Sequence, residues 1–212
     1  MTEEVREIYN QLHFKDKHGI VRLKGHRIIM GCENIRRYTE KVIRPTRKYK
    51  MVFFPFDKVY GDGSMGRIIT FSIVSGVKSG RLVVCNGKEM NESELLYLKD
   101  IFMDFKEGES CIAINTEFGE WTYKNVPWHE VGHLETMPED GVFQQDSEYK
   151  AHKWALDEAE KRGYKKLKYY LLKELDEAWR FSGYSQHIKA RAELLWEYRE
   201  FYGKAALPLI QE

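Results

Sequence analysis

This chain of 212 residues has few cysteines, almost no net charge and no long apolar runs. Its three scattered cysteines, Cys32, Cys85 and Cys111, lack the C-x-x-C spacing of a metal or redox motif. We expect buried, reduced thiols, with a disulfide as the alternative. The 34 basic and 33 acidic residues leave a net charge of +1, which gives no general attraction to nucleic acid or to a membrane surface.

The apolar residues are dispersed along the chain rather than gathered into one segment. No apolar run approaches the roughly eighteen residues that a transmembrane helix needs. The first residues, Met-Thr-Glu-Glu-Val-Arg-Glu, also lack the apolar core of a secretion signal. We therefore expect a soluble, cytoplasmic protein with no membrane partner.

The chain does contain enough apolar residues, 42%, for a sizeable core. Runs rich in Val, Ile and Phe predict strands, and apolar residues at helical spacing between capping residues and glycines predict helices. The predicted strands are 49–56, 67–74, 81–85 and 111–115, after a hairpin at 18–30. The predicted helices are 2–12, 95–105, 122–134, a segment from 146 or 147 to about 162, 164–181 and 185–202.

This order of elements predicts an α+β fold, with a small, mostly antiparallel sheet and a helical C-terminal half. A glycine-rich turn near residues 60–66 indicates a soft boundary. It would separate an N-terminal β-rich region of unknown role, 1–65, from a second domain, 66–212.

The residues His129-Glu130-Val131-Gly132-His133 form the pattern H-E-x-x-H. On a helix, His129 and His133 lie on one face and can bind one metal ion, while Glu130 can act as a base for a water molecule on that ion. Pro127 suggests that the regular part of this helix begins only there. The alternative is a solvated helix turn with two ordinary histidines.

A catalytic zinc site needs a third protein ligand. Five carboxylates follow the motif: Glu135, Glu139, Asp140, Asp146 and Glu148. We favour Glu148, because it falls in the first turn of a predicted helix and would be rigidly held.

Two further residues of that predicted helix bear on the site. Ala151 is small enough for the helix to pack closely on the motif helix. His152 lies one turn after Glu148, where it could be a second-shell partner, an alternative ligand or an ordinary helix-packing histidine.

Three pieces of this sequence, 112–115 (Ile-Ala-Ile-Asn), 129–133 (His-Glu-Val-Gly-His) and 148–155 (Glu-Tyr-Lys-Ala-His-Lys-Trp-Ala), occur in the order found in ImmA/IrrE-type metallopeptidases. The resemblance covers roughly residues 90–180. Trp128 stands where many relatives have a small residue, and we expect it to narrow the cleft. The family occurs in phage, mobile elements and bacterial stress regulators. The resemblance of the three pieces implies a zincin-like metallopeptidase domain.

The resemblance and the ligand types together imply peptide hydrolysis assisted by Zn²⁺, with His129, His133 and Glu148 as ligands and Glu130 as general base. The substrate would be a protein or peptide, such as a repressor. Strand 111–115 could offer an edge on which a peptide adds as an extra strand, or could be a plain core strand.

An oxyanion donor would assist this reaction. Tyr123, Tyr149 and His152 are candidates that the sequence does not rank.

Two other function classes are open. A non-catalytic metal-binding regulatory or interaction protein of a mobile element would close the site with four protein ligands, and His152 could be the fourth. A basic stretch at 36–50 could meet nucleic acid, although a solvated charged face is the simpler interpretation, and we do not expect a nucleic-acid partner.

Overall fold

The computed structural model describes residues 35–54, 56, 64–80, 84–85, 88–89, 92–115, 122–141, 145–178 and 185–203. The helix predicted at 2–12 and the hairpin predicted at 18–30 lie outside these residues. Within the described part of the chain, every helix is too short or too polar to cross a membrane.

The described elements alternate between strands and helices before a run of helices. In chain order they are a π-helical segment, Thr39–Ile43; strands β1, Tyr49–Phe54, and β2, Gly66–Ile69; helix α1, Phe71–Lys78; strands β3, Val84–Cys85, and β4, Lys88–Glu89; helix α2, Glu92–Phe102; strand β5, Ser110–Asn115; and helices α3, Thr122–Thr136, α4, Ser147–Lys161, α5, Lys165–Ala178, and α6, Ser185–Glu197. The fold is α+β, and the predicted helical C-terminal half is confirmed by α3 to α6.

The main sheet has three strands in the order β1-β5-β2. β1 runs parallel to β5, with Met51 opposite Ile112, whereas β2 runs antiparallel, with Ile68 opposite the same Ile112. The sheet is therefore mixed rather than mostly antiparallel. The long connection that carries α1 and α2 between β1 and β5 permits the parallel pairing, which a short hairpin could not form. The proposed division at 65/66 falls between strands of this one sheet and stays a prediction.

Strand β5 is a core strand, so the idea that 111–115 is an exposed edge is wrong. All six of its residues are buried, because helices cover both faces of the sheet. Ile112 and Ile114 belong to one core and Cys111 and Ala113 to the other, as alternation along a strand requires. The first core also contains residues of α3, α4, α5 and α6, namely Trp128, Val131, Leu134, Leu156, Leu172 and Leu194. The second contains residues of α1 and α2, namely Val74, Val77, Leu98 and Phe102.

The strand predicted at 67–74 is correct only in its first half. β2 ends at Ile69, and α1 begins at Phe71, whose N–H donates to the Ser110 hydroxyl at 3.1 Å. The Ile and Val residues after Ile69 favour a strand by propensity, but in the structure they belong to helix α1. Val74 and Val77 are three positions apart and both are buried in the second core, so packing outweighs β propensity here.

The motif helix is longer than Pro127 suggests. α3 begins at Thr122, so Pro127 lies inside it rather than at its first turn. A proline near a helix start removes one backbone hydrogen bond. The helix is anchored directly after it, where buried Trp128 donates from Nε1 to the Tyr38 hydroxyl at 2.8 Å. Trp128 is thus a core residue, and the expectation that it narrows the cleft is wrong.

Candidate metal centre

The two motif histidines converge on one point beside α3. Residues four apart on a helix share a face, and the Nε2 atoms of His129 and His133 are 3.1 Å apart. His133 is 6% exposed, whereas His129 is more open on its outer side. The pair therefore presents two imidazole nitrogens at the rim of the core.

Helix α4 brings Glu148 to the same point. One carboxylate oxygen, Oε2, lies 3.3 Å from His129 Nε2, and the other, Oε1, lies 3.3 Å from His133 Nε2. Ligands placed 2.0–2.1 Å from a tetrahedral zinc ion are separated from one another by about 3.3 Å. Each imidazole of this first triad is thus about one tetrahedral edge from one oxygen of Glu148, and the three side chains could hold a metal ion.

The chemistry of these donors also suits a metal such as zinc. Two imidazoles and one carboxylate form a ligand set typical of catalytic zinc sites. Burial alone would raise the pKa of Glu148, but hydrogen bonds from His129 and His133 hold that pKa well below its ordinary value. Glu148 is therefore an anion, as a ligand must be.

The other acidic candidates between His133 and Glu148 do not join this triad. Glu135 accepts hydrogen bonds from the backbone N–H of Thr46 at 2.5 Å and of Arg47 at 3.2 Å, and so fastens the segment before β1. Asp146 pairs with Lys150 at 3.0 Å. Glu139 and Asp140 are exposed in the turn after α3.

Two more histidines complete a second triad around Glu148. His152 lies one turn after Glu148 on α4, and its ring lies against that of His129 at a tilt of 33°, with centroids 4.1 Å apart. His187, in the first turn of α6, places Nδ1 3.1 Å from Glu148 Oε2. Glu148, His152 and His187 form a second group whose donor atoms all lie within 4.8 Å of one another.

His187 was missed by sequence reasoning, although the helix that carries it was predicted. Its position in a helical first turn was the available signal. Helical periodicity shows which residues share a face but not which other helix that face meets, so the contact with Glu148 is set by the packing of α6 on α4.

Glu130 lies against strand β2 of the sheet. It is 3% exposed and accepts a hydrogen bond from the backbone N–H of Ile68 in β2. A Cβ atom added to Gly66 would overlap Val126 Cγ1 and would lie 2.7 Å from Glu130 Oε1, so the glycine in β2 leaves room for both side chains. Glu130 is thus held between α3 and β2.

The electrostatics around Glu130 place its titration near neutrality. Burial raises the pKa of Glu130 to about 7, and the charge of Glu148 adds to that rise. The charges of His129 and Arg67 and the Ile68 hydrogen bond oppose it. A carboxylate with such a pKa can both accept and return a proton at neutral pH.

The three candidate oxyanion donors lie in different surroundings. The Tyr149 hydroxyl donates to Glu197 Oε2 on α6 at 3.0 Å, which commits it to a helix-helix contact. His152 lies inside the metal centre, beside His129. The side chain of Tyr123 lies outside the part of the chain whose side chains are described.

Comparison of the chain with protein-family models, with curated proteins and with solved structures found no match. The resemblance of its motifs to ImmA/IrrE-type metallopeptidases therefore stays a prediction.

Proposed function

We propose that the protein is a zinc-dependent metallopeptidase of zincin-like design, with His129, His133 and Glu148 as metal ligands and Glu130 as general base. The observation that supports this proposal most strongly is the spacing of the first triad. The Nε2 atoms of His129 and His133 are 3.1 Å apart, and each lies 3.3 Å from one oxygen of Glu148, separations close to the edge of a zinc tetrahedron.

The chain's own groups divide the work of hydrolysis between them. A zinc ion, when bound, supplies a Lewis acid that acidifies water and polarises a carbonyl group. Glu130 follows the first ligand in the chain, and its carboxylate takes up the proton that the attacking water loses. It then delivers that proton to the amine that leaves, which its pKa near neutrality favours.

A peptide is the substrate class that the sheet favours. Among the described strands, β2 is paired only along its β5 side, so an extended peptide can add to its other edge by main-chain hydrogen bonds. Glu130 already contacts β2 through the Ile68 N–H. A peptide added there would therefore run past the proposed base. We accordingly expect the substrate to bind along β2 rather than along β5.

The direct test is metal-dependent cleavage by purified protein. A mixed peptide library is incubated with the wild-type protein, and new termini are identified by mass spectrometry. We expect cleavage that a chelator abolishes and that one equivalent of Zn²⁺ restores. His133→Ala should show neither zinc nor cleavage, with exposed Lys189→Ala as the matched control.

The outcome against the proposal is a wild-type protein that holds stoichiometric zinc and cleaves nothing in the library or among denatured proteins of the host lysate.

A non-catalytic metal-binding protein is the second candidate, because two extra histidines lie beside Glu148. If His152 or His187 occupied the fourth position on a single zinc ion, no position would be left for water. X-ray absorption at the zinc edge separates the two functions. Two nitrogen ligands favour the peptidase, and three or four nitrogen ligands on a single ion favour the non-catalytic protein.

A further inference from the structure

The second triad uses side chains that the proposed hydrolysis does not require. Glu148 and His152 come from α4, and His187 comes from α6. Their donor atoms lie within 4.8 Å of one another, as do those of the first triad. Glu148 belongs to both groups, so five side chains offer two overlapping sets of three ligands.

Both histidines of this triad offer a ring nitrogen close to Glu148. His187 places Nδ1 3.1 Å from Glu148 Oε2, and the donor atom of His152 lies within 4.8 Å of the other two. Imidazole nitrogens are common ligands for zinc.

Both oxygens of Glu148 contact histidines, and one of them contacts histidines of both triads. Oε1 lies 3.3 Å from His133 Nε2, while Oε2 lies 3.3 Å from His129 Nε2 and 3.1 Å from His187 Nδ1. A carboxylate arranged in this way can give one oxygen to each of two ions. Two-metal sites hold their ions about 3.5–4 Å apart, a separation that a single carboxylate can span.

We infer that the protein binds a second transition-metal ion, of the zinc class, through Glu148, His152 and His187, with Glu148 bridging the two ions. This inference rests on the proposed function only in taking the first triad as a metal site. It does not depend on hydrolysis, because its readout is the number and the spacing of bound ions.

The second site should be the weaker of the two. Arg191, one turn after His187 on α6, is 8% exposed, and its charge acts on both His187 and Glu148. Glu174 offsets that charge in part. The second ion also shares its only carboxylate with the first ion, whose charge repels it. Both effects lower the affinity of the second site, so the first site should bind its ion more tightly.

The test is a metal titration of the intact protein. Metal-free protein is titrated with Zn²⁺ in a calorimeter, and the bound zinc is counted after gel filtration. We expect two ions per chain in two steps, the second at least tenfold weaker. His187→Ala and His152→Ala should each remove the second step and leave the first within about threefold. Lys189→Ala, an exposed change on the same helix, should leave both steps intact.

Arg191→Met provides a change in the opposite direction. It keeps the length of the side chain and removes the charge, so the second step should become tighter by severalfold. Unchanged or weaker binding in this variant would place any second ion away from α6 and overturn the assignment.

A spectroscopic measurement needs no variant at all. Wild-type protein loaded with two Co²⁺ ions should show magnetic coupling between them, because a shared carboxylate holds two ions about 3.5–4 Å apart. Two uncoupled Co²⁺ signals would overturn the bridge.

Two outcomes of the titration would overturn the second site. One is saturation at a single zinc ion in the wild-type protein. The other is a single ion whose affinity falls about 10–100-fold in His187→Ala, since His187 would then orient Glu148 or bind the first ion. Two bound ions without any cleavage would instead preserve this inference and refute the proposed peptidase.

Discussion

Gly132 of the motif helix lies directly against Ala151 of α4. A Cβ atom added to Gly132 would overlap the Ala151 carbonyl oxygen and would lie 2.9 Å from the Ala151 Cα. Ala151 is itself fully buried. The backbones of α3 and α4 therefore meet at this point, and the contact sets the 3.3 Å separation of His133 from Glu148 one turn away.

Gly132→Ala should separate the two helices and weaken the metal site. The added methyl group meets backbone rather than a flexible side chain, so we expect a loss of about 1–3 kcal/mol in the free energy of unfolding. Zinc affinity should fall at least tenfold. Gly203→Ala is the matched control, since a Cβ there meets nothing within 4 Å. Equal zinc affinity in both variants, measured by competition with a chelating dye, would argue against this role for the contact.

Gly66→Ala should impair the base without removing the metal. The new methyl group would overlap Val126 Cγ1 and would also compete with the Glu130 carboxylate, since the built Cβ lies 2.7 Å from its Oε1 and 2.9 Å from its Cγ. A misplacement of about 1 Å can cost about 10²-fold in rate. We expect a loss of that order in kcat, with zinc content unchanged. A variant that cleaves at the wild-type rate would show that the position of Glu130 against β2 is irrelevant to the activity.

Tyr38→Phe should destabilise the anchor of the motif helix. The change leaves the Trp128 Nε1–H buried without its acceptor at 2.8 Å, which costs about 1–3 kcal/mol. The measurement is urea unfolding, followed by tryptophan fluorescence. Tyr170→Phe, at a residue that is 36% exposed, is the control and should change stability by less than about 0.5 kcal/mol. Equal effects in the two variants would contradict the anchoring role.

The thiol of Cys111 should be unreactive in the folded protein. It lies fully buried in the central strand, is not in a disulfide, and burial raises its pKa well above the ordinary value. Reaction with iodoacetamide needs the exposed thiolate. In a variant with Cys32→Ser and Cys85→Ser, alkylation followed by mass spectrometry should detect labelling only under denaturing conditions. Rapid labelling of the native protein would show that β5 opens locally.

The sequence allowed prediction of those features that depend on local spacing. The H-E-x-x-H pattern places two histidines on one helical face. Glu148 lies in the first turn of α4 as predicted, although Asp146 at the N-cap makes no side-chain capping hydrogen bond. Ala151 was expected to allow close packing of α4 on the motif helix, and its contact with Gly132 confirms this. The buried, unpaired state predicted for the cysteines is confirmed at Cys111; Cys32 and the side chain of Cys85 lie outside the described residues.

Features that depend on distant parts of the chain were not predictable in the same way. The parallel pairing of β1 with β5 is a choice between registers of strands far apart in sequence. The residues after Ile69 favour a strand by propensity, yet they form α1 because Val74 and Val77 are buried together at helical spacing. His187 reaches Glu148 only through the packing of α6 on α4.

The central claim is that Glu130 is the general base of a zinc-dependent peptidase, and Glu130→Gln tests it most directly. The amide keeps the size of the side chain and leaves His129, His133 and Glu148 in place, but it cannot accept a proton from water. The measurement is zinc content and peptide cleavage in the same preparations of the wild-type protein and the variant. We predict equal zinc and a rate lower by about 10²–10⁴-fold. A variant that holds its zinc and cleaves at the wild-type rate would contradict the claim.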